Sequence, residues 1–137
     1  MKLVFARDDE VAEWVSERIG TIIPKPYVAI GATRDGKELC GGAVFNNYNH
    51  SNVDITLASD RCLTRGTIRG IFHYCFVQSK VNRVTAATRR SNKTMRKILR
   101  KFGFEFEGIA KQYYGSSKKD DAFVYALFKD GAEKWLK

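Results

Sequence analysis

The sequence predicts a single-domain α/β (α+β) fold: one mixed β-sheet of about seven strands flanked by helices. Three observations lead there. The 137 residues suit one domain, and no Gly/Ser-rich linker, internal repeat or low-complexity tract divides them. Short β-branched runs recur on both sides of two strongly amphipathic helical stretches. The composition, 44% hydrophobic and 28% charged, is that of a globular protein and excludes a disordered tail, a collagen-like fibre and a coiled coil. A domain of this size buries roughly two thirds of its unfolded surface, so neither a disulfide nor a metal is needed to hold it.

The elements follow in the order β-α-β-β-β-α-β-α-β-β. Leu3–Ala6 is a short apolar strand. Asp8 is placed to cap a helix, with Asp9 and Glu10 in its first turn, where the helix dipole favours acids. Val11, Trp14, Val15 and Ile19 follow at helical spacing, and Gly20 ends the run. Pro24 and Pro26 precede a strand over Tyr27–Ala32. Asp35-Gly36 predicts a two-residue hairpin turn into a strand over Leu39–Phe45. After the polar turn Asn46–Asn49, Val53, Ile55 and Leu57 alternate with Asp54 and Thr56, a strand with one polar face. Ile68, Ile71, Phe72, Cys75 and Phe76 then mark an amphipathic helix from Thr64 to about Lys80. Arg83–Thr88 is a strand. Asn92 opens a second helix with the apolar stripe Met95, Ile98, Leu99 and Phe102, and Gly103 is its natural C-cap. Phe104–Ile109 and Ala122–Phe128 are the last strands. The two strand-helix-strand passages imply that part of the sheet is parallel.

Charge is unevenly spread. The net charge is +9, yet Arg61–Lys101 carries twelve basic residues and no acidic one, so the whole excess lies in this central segment. Clustered positive charge implies an anionic partner (nucleic acid, a nucleotide cofactor or an acidic protein) or a solvated face kept for solubility. The three cysteines are odd in number and match no zinc spacing; Cys40 and Cys75 lie in apolar stretches and read as core thiols. His50 and His73 are isolated, so no metal site is expected. No apolar run reaches the ~20 residues of a membrane span. MKLVFARDDE has acids where a signal peptide has an apolar core, which gives a cytoplasmic expectation.

One segment offers chemistry. The strand Val53–Ala58 runs through Ser59–Thr64 into a helix beginning at Arg65-Gly66-Thr67. Free amides at a helix N-terminus, Gly66 allowing close approach, and Arg61, Arg65 and Arg69 nearby suit a phosphate; an ordinary βα turn with arginines on its rim is the alternative. The P-loop pattern is absent, and glycines at 66 and 70 form no dinucleotide fingerprint.

These elements and motifs resemble the GNAT superfamily of acyl-CoA-dependent N-acyltransferases over nearly the whole chain. The most specific part runs from Asn92-Lys93-Thr94-Met95 to Phe102-Gly103-Phe104-Glu105-Phe106-Glu107-Gly108. It is most similar to the branch of ribosomal-protein N-terminal acetyltransferases, as is the last strand, Asp120–Leu127. Small members of this type occur in bacteria and their phages, so phage origin is an expectation. The resemblance implies acetyl-CoA as acyl donor, an amine acceptor on a protein, peptide, small molecule or RNA-associated protein, no metal, no membrane, and a homodimer as one assembly. It places the CoA pyrophosphate on the backbone of Thr64, Arg65, Gly66, Thr67, Ile68 and Arg69. Leu63 then stands where the family has Gln or Arg, and Ile68 where it has Gly or Ala, so Arg61 or Arg65 must supply the charge. Leu57 and Ala58 would bond the pantetheine and aim an amide at the thioester carbonyl. Asn92 would reach the pantetheine near the thiol, cap its helix, or do both.

Direct attack by the amine is the family's usual route, so Cys62 is not a nucleophile. The positions that hold a general acid in relatives carry Leu99 and Met95. Tyr113 and Tyr114 are the substitutes by chemistry, or ordinary strand aromatics. Asp54 is the candidate base if it faces a cleft and a polar strand residue if it faces solvent; a protein N-terminus, with a pKa of roughly 8, makes a base optional. Acceptor contacts are expected between the first helix and second strand, at Asn46–Asn52 and at Gly115–Asp121. Two other readings remain open: a GNAT-like protein without catalysis that binds CoA or a partner, and a basic nucleic-acid-binding module.

Overall fold

The computed structural model describes residues 2–60 and 62–137. Its seven strands form one sheet in the order β1-β2-β3-β4-β5-β7-β6. β1 (Lys2–Val4), β2 (Tyr27–Thr33), β3 (Leu39–Asn46) and β4 (Asn52–Ser59) make one antiparallel half. β5 (Arg83–Arg89), β7 (Ala122–Phe128) and β6 (Glu105–Ala110) make the other. The halves meet at β4 and β5, the parallel pair made by a helical crossover. That pairing covers only Asn52–Ile55 against Arg83–Ala86. Beyond it, β4 stays with β3 as far as Ser59 and β5 stays with β7 as far as Arg89, so the two halves splay apart.

Four helices cover the sheet: α1 (Asp8–Ile19), α2 (Arg65–His73), α3 (Lys93–Phe102) and α4 (Lys129–Leu136). α1 buries Val11, Ala12 and Val15 against Ala29, Val44 and Ala58 on one face. On the other face α2, α3 and α4 close a larger core with Val53, Ile55 and Leu57. Phe72 sits in its middle, with the rings of Phe102, Phe104 and Trp135 centred 5.9, 6.1 and 6.4 Å away. The Trp135 indole donates to the Phe102 carbonyl at 2.7 Å and so fastens α4 to α3. Among the described residues no helix is long and apolar enough to cross a membrane.

The predicted fold class and the order of elements from β1 to β7 match the structure, and these details differ. Asp8 is the first helical residue, not the cap; its carboxylate accepts the Ala29 amide at 3.0 Å and ties α1 to β2. The Asp35-Gly36 hairpin is a five-residue connection between Thr33 and Leu39, because a bulge at Ala32/Thr33 shifts the register and Asp35 takes the Lys37 and Glu38 amides. The helix expected to reach Lys80 turns to π geometry at Tyr74–Gln78, since one apolar stripe of that length fits either winding. α4 carries little sequence signal, because Gly131 stands in its first turn and its apolar stripe consists only of Ala132, Trp135 and Leu136.

Cys40 is not a free core thiol: it forms a disulfide with Cys62. The β3–β4 register, Gly41 against Ser59, brings these two cysteines together at the end of the hairpin, and no spacing rule reveals such a contact. Cys75 is buried and free, and burial pushes its thiol pKa up.

Gly103 caps α3 with φ +108°, a conformation that an L side chain rarely adopts. Phe72→Ala is expected to cost about 3–5 kcal/mol in urea unfolding, with an unchanged m value. Phe5→Ala, at a residue 61% exposed, should stay within about 0.5 kcal/mol.

Candidate functional site

The splay between β4 and β5 is a cleft of about 200 Å³. Thr56 and Leu57 form one wall; Ala87, Thr88 and Arg89 form the other. Because β4 is paired only to β3 from Thr56 onward, the backbone groups on its β5 side have no strand partner there. Such an edge inside a protein offers hydrogen bonds to an extended amide-bearing ligand. Leu57 lines the cleft, whereas Ala58 turns its methyl under α1.

A separate groove of about 470 Å³ lies farther along β4, at Ser59, beside the N-terminus of α2, with Leu63, Arg65, Ile68, Lys101 and Trp135 in its walls. Here the capping box narrows the expected phosphate cradle. The Thr64 side chain accepts the Thr67 amide at 3.3 Å, the Thr67 hydroxyl accepts the Thr64 amide at 2.9 Å, and Ile68 donates to the Thr64 carbonyl. The first-turn amides left without an intrahelical acceptor are those of Arg65 and Gly66. A Cβ on Gly66 would meet only the Thr64 hydroxyl, at 3.8 Å, so the fold itself leaves room there. The Arg65 guanidinium donates to the Lys134 carbonyl at 3.2 Å and lies 5.3 Å from the Trp135 ring centre, which fixes it at the groove rim. Arg69 is exposed on α2 and does not line this groove. Ile68 is buried and forms part of the floor. Arg61 lies outside the described residues.

Asn92 is the N-cap of α3: its Oδ1 accepts the Met95 amide at 3.1 Å. It also lines the cleft, and its Nδ2 donates to none of the described residues. Met95 and Leu99 line the same wall, so α3 presents an apolar surface to the cleft.

The cleft joins a chamber of about 140 Å³ that holds Asp54, Tyr113 and Tyr114 together. Ile55 faces the core, so Asp54 and Thr56 face this chamber. Asp54 accepts from Asn47 Nδ2 at 2.9 Å and Asn52 Nδ2 at 3.0 Å. Asn52 in turn accepts from Thr85 at 2.6 Å, and Thr85 from Arg83, which pairs with Glu107 at 2.6 Å. This chain orients the carboxylate from behind.

Tyr113 is 63% exposed, while Tyr114 is half-buried and lines both cleft and chamber. Burial, with Tyr113 adding to it and Arg89 opposing it, pushes the Tyr114 phenol up to about 12. Arg89 sits 4.8 Å from its ring centre, pairs with Asp120 at 3.1 Å and reaches the Gly20 carbonyl. Thr21–Pro24, Asn46 and Asn47 line the chamber; of the loop between β6 and β7, Tyr113 and Tyr114 reach it, not Gly115–Asp121.

Arg18 and Ile19, at the end of α1, also line the cleft and were not singled out from the sequence, where they read only as the last turn of a helix. Trp135 was missed with α4. No group of three metal-ligating side chains occurs among the described residues.

No family model and no curated protein matches the sequence. Solved structures do. One described as a probable acetyltransferase superposes with a TM-score of 0.65 at 23% identity, over 76% of this chain and 62% of that one. The ribosomal-protein-S5-alanine acetyltransferase of Vibrio fischeri gives 0.64 at 17%, over 88% and 68%. The Campylobacter jejuni N-acetyltransferase PseH in complex with acetyl coenzyme A gives 0.60 at 18%, over 77% and 70%. The chain thus spans less than two thirds of the length of the first of these. The splayed seven-stranded sheet, its four helices and these superpositions together identify the fold of this chain as that of the GNAT acetyltransferases.

Proposed function

We propose that the chain is an N-acetyltransferase that moves an acetyl group from acetyl-CoA to a primary amine by direct attack. The observation that carries this reading is the placement of three cavities along β4: a groove with an open helix N-terminus at Ser59, a cleft at the unpaired edge, and a chamber joined to that cleft that holds Asp54 with Tyr114. The groups present fit the donor. The amides of Arg65 and Gly66 and the Arg65 guanidinium suit a pyrophosphate. The β4 edge from Thr56 to Ser59 suits the amides of a pantetheine arm. Asn92 Nδ2 would hold that arm near the thiol.

Acetyl-CoA supplies an activated thioester when bound; the chain supplies the rest. An amide of Leu57 or Ala58, fixed by pairing with β3, would face the carbonyl oxygen and stabilise the negative charge that grows there. Asp54, its lone pairs oriented by Asn47 and Asn52, would take the proton from the attacking amine, directly or through one water. Tyr114 keeps its proton through the neutral range and would hand it to the departing thiolate. With Met95 and Leu99 apolar, this assignment moves the acid from α3 to the loop after β6.

Acetyl-CoA at about 1 mM is expected to raise the melting temperature, and Gly66→Glu to remove the rise while leaving the apo protein folded, since the site is open to solvent. No shift for the unaltered protein sinks the proposal. Tyr114→Phe should lower kcat about 100-fold and keep the thermal shift. Unchanged kcat would return the acid to another group, and acetyl-CoA binding without turnover on any amine would favour the non-catalytic reading.

The Tyr114 phenol also makes a stability prediction. Its folded pKa, about 12, lies above the unfolded value of roughly 10, so the folded state holds the proton longer. That contribution is complete below pH ~10 and is lost as the pH rises through the folded value. Tyr114→Phe should therefore flatten the fall in urea-unfolding stability over that window. Tyr27, raised to about 12 by its hydrogen bond to Asp9, keeps its own share in the variant.

A further inference from the structure

The acetyltransferase reading leaves most of the basic segment without a task. Arg83, Arg89 and Arg90 are answered by acids from outside it: Glu107, Asp120 and Asp121. Of what remains, Lys93 and Arg96 meet two lysines of a later loop in a second place. Beside the first turn of α3 lies a cup of about 520 Å³ whose walls include Arg90, Lys93, Arg96, Lys118 and Lys119, with Phe123 at its base. Lys93, Lys118 and Lys119 are exposed and form no ion pair with any described carboxylate. Arg96 gives one Nη to the Arg90 carbonyl at 2.8 Å, while its Nε is buried with no partner among the described residues.

We infer that this cup binds an acidic stretch of the acceptor polypeptide and makes the site selective for amines carried on acidic peptides. The inference rests on the acetyltransferase reading for calling the peptide an acceptor. The position of the cup supports it. Arg90 and Lys93 flank Arg89 and Asn92, which line the cleft, so the two openings sit on either side of one short segment. Lys118 and Lys119 belong to the same loop as Tyr113 and Tyr114. A peptide whose terminus reaches Asp54 and which leaves along that loop meets the cup next.

The cup is not another part of the donor groove. Thr94, Ile98 and Lys101 face that groove, and Lys93 and Arg96 lie on the opposite side of the helical wheel. Nor does it suit single-stranded RNA, which needs open aromatic faces for base stacking. Phe123 is 9% exposed, with guanidinium groups of Arg96 and Arg90 at 4.3 and 5.5 Å from its centre. Carboxylates need only cations, and Lys93, Lys118 and Lys119 are cations with no ion pair to any described carboxylate.

The test uses a fluorescein-labelled dodecapeptide of alternating Glu and Ser, blocked at its N-terminus, binding to the full chain without acetyl-CoA. Fluorescence anisotropy should show binding that weakens with salt and falls about tenfold or more in the combined Lys93→Glu, Lys118→Glu, Lys119→Glu variant, with the matching Lys→Gln variant in between. A Lys/Ser peptide should not bind. Affinity within about twofold of the unaltered protein in the charge-reversed variant overturns the inference. So does a twelve-nucleotide oligouridylate that binds more tightly than the peptide through the same three lysines, which would make the cup an RNA site. With an unblocked acidic peptide and acetyl-CoA, the variant should raise KM and leave kcat and the acetyl-CoA thermal shift unchanged. Loss of that shift would instead count against the donor site, so the two readings fail separately.

Discussion

The parallel pairing of β4 with β5 stops after Ile55 and Ala86, and the rest of the site depends on that stop. A sheet that continued would close the backbone of Thr56–Ser59 with hydrogen bonds and leave no cleft. Here each strand is held on its far side only, β4 by β3 and β5 by β7. The unsatisfied edge is the cost of the cleft. An unpaired backbone group kept from water is unfavourable, so a ligand with amides of its own gains what the sheet forgoes. The helices then keep the gap open: α1 closes one side with Arg18 and Ile19, and α3 closes the other with Met95 and Leu99.

Electrostatics holds the same region in shape. Arg89 stands at the end of β5 and contacts three groups: the Gly20 carbonyl just past α1, the Tyr114 ring and the Asp120 carboxylate. Asp120 also takes the Ser117 amide, so the loop that carries Tyr114 is fixed from both ends. Part of the positive charge of the central segment is therefore spent on architecture, and it is matched by acids that the sequence places after Lys101. Counting charge along the chain could show the excess but not this sorting, because the pairs form between elements far apart in sequence, such as Arg83 with Glu107.

Legibility followed the range of the interaction. α3 was readable in full because its signals are local: the Asn92 cap, the stripe through Leu99, and Gly103 in the left-handed region. The alternation of Val53, Ile55 and Leu57 likewise put Asp54 on the opposite face of its strand, while only the tertiary fold places a chamber there. Cys40 with Cys62 was not legible, since it depends on the register of two strands and the path beyond them. The phosphate loop was legible as a place but not in its detail. Thr64 and Thr67 bond each other, and this reciprocal cap consumes amides that would otherwise face a ligand. α4 was hidden by Gly131, although Trp135 is what completes both the Phe72 cluster and the groove wall.

The apolar surface of α3 has a consequence for how specificity can arise. Met95 and Leu99 cannot exchange a proton, so on the proposed chemistry the donor must come from elsewhere, and Tyr114 is the phenol that lines both cleft and chamber. That places the proposed acid in the β6–β7 loop, on the segment that also carries Lys118 and Lys119. The Tyr114 amide donates to the Asp120 carbonyl at 3.0 Å, and Asp120 closes the turn over those lysines. Proton donor and acceptor contacts are then parts of one braced unit, clamped by Arg89, rather than independent features of a helix and a loop. The lysine side chains are exposed while the phenol is held by the backbone and by Arg89, so selectivity and proton donation would share nine residues, 112–120, and still act through separate side chains.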